Sequence, residues 1–98
     1  MPTRDELAQK QLQDGFALPS EFKLYANAFA AGSSQADVVV VFQKNGEPIA
    51  VVNMSYTIAK SLAVKLTDLM KDFEEKVGQT ILTTDDIGSA MGVKPDYE

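Results

Sequence analysis

At 98 residues the chain has the length of one domain, and 45% hydrophobic with 23% charged residues is the composition of a globular protein rather than a disordered one. A formal charge of -5, with nine Lys and Arg and no dense basic run, repels phosphate backbones and argues against nucleic acid. There is no cysteine and no histidine, which excludes disulfides, thiolate or imidazole zinc sites and every Cys-His or Ser-His catalytic scheme.

The N-terminus, "MPTRDELAQKQLQDG", has no apolar leader segment, and no window approaches the roughly 18 apolar residues that span a bilayer. The expectation is a soluble, cytoplasmic protein with no membrane contact. Residues 1–20 are polar; Thr3 is placed to cap a short helix with Glu6 reaching back, and Gly15 and Pro19 then break it. Leu7, Ala8 and Leu12 give that helix only a thin apolar stripe, so it reads as an N-terminal arm.

The run "FKLYANAFAA" alternates in the manner of a strand over 22–31, and "GSSQ" at 32–35 has turn chemistry, with Gly32 free to take positive φ. Asn45-Gly46 between two apolar runs predicts a type I′ hairpin, because both residues tolerate positive φ. An unbroken register then sets Lys44 against Glu47, Gln43 against Pro48, Phe42 against Ile49, Val40 against Val51 and Val39 against Val52. Pro48 makes the strand 48–54 an edge.

Ser55 is a good N-cap, and Ile58, Leu62, Leu66, Leu69, Phe73 and Val77 then recur at helical spacing up to Gly78, a C′ glycine. The stripe reads as core. The remaining tail has room for about one helical turn after Thr84, with Asp85 and Asp86 in its first turn, and an acidic, mobile end. The fold class is therefore α+β: a three-stranded antiparallel meander followed by one long amphipathic helix, with a short N-terminal helical arm and a C-terminal tail. As one domain it divides into an arm over 1–20, a β-β-β-α core over 22–82 and a tail over 83–98.

In that register one hairpin face carries Val38, Val40, Phe42, Ile49 and Val51, and the other Val39, Val41, Ala50, Val52 and Met54. Asn53 falls on the first face, which slightly favours the second for the helix. Both faces are apolar, whereas an antiparallel sheet with one wet face alternates apolar and polar residues. One helix covers one face. The other face is left to the N-terminal arm or the tail, both too polar to cover it well, or to a second copy of the chain, which a core of only about 60 residues favours, with Val38, Val40, Phe42, Ile49 and Val51 as the interface.

Little else carries chemistry. Asp85-Asp86 lacks the alternating ligands of a calcium loop, no glycine-rich phosphate loop is present, and Tyr25, Tyr56, Ser33 and Ser55 have no base at a meaningful spacing. No cofactor or metal is expected.

The segments "YAN" at 25–27, "DVVVVF" at 37–42 and "VVNMSYTIAKSLAVKLTDLMKDFEEKVGQTI" at 51–81 resemble a family of small bacterial and archaeal proteins classed as a domain of unknown function. That family shows Y-A-N, a strand, and M-S-x-x-x-A-K-x-L opening a long helix that closes with an aromatic, Glu and Gly. The matching positions are Met54, Ser55, Ala59, Lys60, Leu62, Phe73, Glu74 and Gly78, while Tyr56 stands where the family often has proline. The resemblance implies a bacterial or archaeal source and brings no activity with it. The expected function is a non-enzymatic, homo-oligomeric protein-interaction module, with room for a further protein partner. The alternative is a chaperone-like or adaptor protein that binds extended polypeptide on its sheet, a reading by fold analogy.

Overall fold

The computed structural model describes residues 1–92; the expectation of a mobile acidic end falls on 93–98, outside the described residues. In chain order the elements are helix α1 (Arg4–Phe16), a single 3-10 turn (Ser20–Phe22), strands β1 (Ala28–Ser33), β2 (Val38–Lys44) and β3 (Glu47–Met54), and helices α2 (Tyr56–Val77) and α3 (Thr84–Ala90). The architecture is α+β, with an antiparallel sheet in the order β1-β2-β3 followed by the long helix. The chain divides into two compact units, Met1–Tyr56 and Thr57–Glu98.

In the first unit, Thr3 caps α1 by accepting the N–H of Glu6 on its hydroxyl. Gly15 lies inside that helix rather than ending it; α1 closes at Phe16, where Ala17 takes the C-cap. The first strand is also displaced from the expected 22–31. Residues 20–22 form the 3-10 turn, in which Phe22 and Lys23 donate to the carbonyls of Pro19 and Ser20, and pairing starts only at Ala28. The limit is set by its partner: β2 ends at the Asn45-Gly46 turn, so nothing lies opposite residues 22–26. Gly32 accordingly sits in the strand opposite Val39, and the reversal falls at 34–37.

The β2–β3 turn is as expected, with Asn45 at φ 53° and Gly46 at φ 84°. Lys44 faces Glu47 and Gln43 faces Pro48, and β3 is an edge. Beyond that point the expected register fails. A bulge makes Ile49 an extra residue, so Phe42 faces Ala50, Val41 faces Val51, Val40 faces Val52 and Val39 faces Asn53.

The apolar pattern alone does not discriminate between the two registers, because Ile49, Ala50, Val51 and Val52 suit either face. Asn53 does discriminate. Without the bulge it would share a face with Val38, whereas with it Asn53 lies opposite Val39 and donates to Asp37 Oδ2 at 3.2 Å.

In the second unit, α2 begins directly after Ser55 and ends at Gly78, whose φ of 69° and N–H to Glu74 carbonyl bond form a left-handed C-terminal cap. After the helix, Glu74 Oε2 accepts the Ile81 N–H at 2.7 Å. Helix α3 is capped by Thr83, one residue earlier than expected, in a reciprocal box with Asp86. No described side chain is fully buried. The α2 stripe expected as core is half bare, with Leu62, Leu66 and Leu69 at 42%, 47% and 46% exposure.

Candidate interaction surface

Residues directly opposite across an antiparallel pair point to the same face, so the register defines the surfaces of the sheet. One face carries Val38, Val40 and Phe42 from β2, Ala50, Val52 and Met54 from β3, and Phe29, Ala31 and Ser33 from β1. The other carries Val39, Val41 and Gln43, with Val51 and Asn53 opposite, and the small residues Ala28, Ala30 and Gly32. Nearly all of the first face is apolar. The second mixes three valines with an amide at each end.

Of the five residues expected at an interface, the bulge keeps Val38, Val40, Phe42 and Ile49 together and moves Val51 to the opposite face, against Val41. Ala50, Val52 and Met54 take its place beside them. An unbroken register puts them on the opposite side, because a one-residue slip inverts every later side chain and a bulge leaves no mark in an all-apolar run.

A groove of about 300 Å3 opens on this face, lined by Phe22, Leu24, Ala26, Phe42, Ile49, Ala50 and Val52. Phe22 reaches it from the end of the 3-10 turn and Leu24 from the segment between that turn and β1, and they are 63% and 56% exposed. No charged or hydrogen-bonding side chain lines the groove, so it suits apolar side chains and offers nothing to orient a polar substrate.

Polar side chains of this unit instead fasten the ends of the sheet. Asn27, the last residue of the Y-A-N segment, donates Nδ2–H to Asn45 Oδ1 and accepts the Asn45 N–H on its own Oδ1, both at 3.0 Å. At the other end Ser34 Oγ accepts the N–H groups of Ala36 and Asp37 and donates to the Asp37 carboxylate, while the Tyr56 hydroxyl donates to the Ser34 carbonyl. Tyr56, considered above for nucleophilic or acid chemistry, is thus a structural tether. Ser33 lies in β1 opposite Val38, and Tyr25 is 72% exposed.

In the second unit the Asp85-Asp86 pair resolves into helix capping. The Thr83 backbone N–H and, after it, the Thr83 hydroxyl hold the Asp86 carboxyl below the usual carboxylate range. A second groove, of about 290 Å3, lies at the end of α2 between Lys71, Glu75 and Gln79, with Glu74 engaged by Ile81. Among the described residues no group of three or more acidic side chains is assembled, and no helix is long and apolar enough to cross a membrane. The chain matches no protein-family model, no curated protein and no solved structure.

Proposed function

We propose that this chain is a non-enzymatic, homo-oligomeric protein-interaction module that covers the apolar face of its sheet with a second copy of itself. The observation that carries the reading is the face built by Val38, Val40, Phe42, Ile49, Ala50, Val52 and Met54, where apolar side chains stand together only partly covered, with Phe22 and Leu24 beside them more than half exposed. A patch of that kind is near the upper limit of what a soluble monomer leaves in water, and covering it is worth about 25 cal/mol per Å2 before association costs. A second copy fits this demand because an apolar face without charge is complementary to itself about a two-fold axis.

The test is sedimentation at tens of micromolar. The native protein is expected to be at least a dimer, and Val52→Asp to lower its mass by placing an unpaired charge in a dry contact. Val51→Asp, on the other face, and Lys44→Asp, beside the turn, are expected to leave the assembly intact. A native monomer, or equal sensitivity to Val51→Asp and Val52→Asp with unfolding midpoints unchanged, overturns the proposal.

A further inference from the structure

The two edges of the sheet are not equivalent. Strand β3 carries three devices that discourage strand addition: Glu47 at its start, Pro48 without an N–H, and the bulge at Ile49 that twists the strand out of line. Strand β1 carries none of them. Its six residues, Ala-Phe-Ala-Ala-Gly-Ser, include no charge and no proline, pair with β2 without a break, and are exposed throughout.

The outward-facing backbone groups of β1 follow from the ladder. Lys44 and Glu47 flank a tight turn and address each other, so Gln43, Val41 and Val39 turn their N–H and C=O groups toward β1. Their partners Ala28, Ala30 and Gly32 therefore address β2, in agreement with the Ser34 N–H bonded to the Asp37 carbonyl at 2.9 Å. Phe29, Ala31 and Ser33 are left to present theirs to the open side. At the far end Asn27 is already committed, its N–H to the Gln43 carbonyl.

We propose that β1 pairs antiparallel with β1 of a second copy, with Ala31 on the two-fold axis and Phe29 opposite the Ser33 of that copy. This inference rests on the homo-oligomeric reading above and adds to its face-to-face contact a second, edge-to-edge one, which extends the apolar face without covering it. The register uses every open group of Phe29, Ala31 and Ser33, and displacing it by one pair toward the N-terminus would require the Asn27 N–H that Gln43 already holds. No like charges meet, since β1 has none, and the small side chains at 30–32 allow close approach at the axis. Pairing of this sense keeps equivalent faces on the same side, so the Phe29 face of one sheet continues into that of the next.

The experiment is a pair of proline substitutions on the full chain. Ala31→Pro removes an N–H that faces away from β2, a position an edge strand tolerates, and is expected to keep the fold while halving the particle mass. Losing the two axial hydrogen bonds should weaken association about thirtyfold or more. Ala30→Pro removes an N–H directed into the sheet and is expected to lower the unfolding midpoint instead.

Amide exchange on the native chain gives a second readout that needs no variant. Phe29, Ala31 and Ser33 should exchange at least about tenfold more slowly at concentrations where the assembly forms than on dilution. An assembly unchanged by Ala31→Pro, or β1 amides indifferent to concentration, overturns the edge and leaves the homo-oligomeric reading standing. A native chain that stays monomeric overturns both, and protection of those amides only on adding an unfolded polypeptide would assign the edge to a client strand.

Discussion

The β2–β3 turn consists of Asn45 and Gly46, both at positive φ, whereas the β1–β2 reversal at 34–37 has no left-handed residue and is held by the hydroxyl of Ser34. The first is a backbone solution: a rare torsion that two residue types adopt at little penalty. The second is a side-chain solution, in which one oxygen satisfies the N–H groups of Ala36 and Asp37 that the turn leaves open. A torsional requirement is unforgiving, while a side-chain bond at an exposed turn is readily replaced by water. The two reversals should therefore respond very differently to substitution.

The largest effect is expected at Gly46. A Cβ there meets no atom within 4 Å, so Gly46→Val tests torsion without any clash. Holding a β-branched residue at φ 84° should destabilise the sheet unit by about 2 kcal/mol, read from the urea midpoint. A shift no larger than that of Gly15→Val, in α1 where φ is ordinary, would break the contrast at its stronger end.

Asn27 sharpens the comparison, because it adds a side-chain lock to the backbone-coded turn through its paired bonds with Asn45. Asn27→Ala should cost about 1 kcal/mol, two net hydrogen bonds discounted for exposure, and should speed exchange of the Asn45 amide while leaving Asp37 unaffected. If the Asn45 amide keeps its protection, the lock is dispensable and the torsions alone hold the turn.

What was legible in the sequence follows the same division. Asn45-Gly46, the Thr3 cap and the helix from Tyr56 to Val77 are local codes, each fixed by residues a few positions apart, and each is found where it was read. The start of β1 was not legible, because alternation over 22–31 says that a segment can be extended and cannot say where its partner strand runs out. The bulge was hidden for a related reason. Four apolar residues at 49–52 accept either face, and the Asn53 to Asp37 bond, between β3 and the distant β1–β2 reversal, decides between them. Asn27 was visible within Y-A-N but its role was not, since its partner lies eighteen residues further on.

Ser34→Ala should have the smallest effect of the three. The hydroxyl accepts from Ala36 and Asp37 and donates to the Asp37 carboxylate, but every one of these bonds is exposed, so water can take its place. A loss of about 0.5 kcal/mol is expected, with faster exchange at Ala36 and Asp37 and an unaltered Asn45 amide. Ser34→Gly should be somewhat worse, because it adds backbone freedom to the lost hydroxyl. The Tyr56 hydroxyl bonds the carbonyl of residue 34, not its side chain, and so should survive both substitutions. If Ser34→Ala instead matches Gly46→Val in the urea midpoint, the hydroxyl is holding Asp37 in place for Asn53 as well. The soft turn would then be part of what fixes the β2–β3 register, and Ser34→Ala should be accompanied by loss of the Val39–Asn53 pairing in cross-strand contacts measured by NMR.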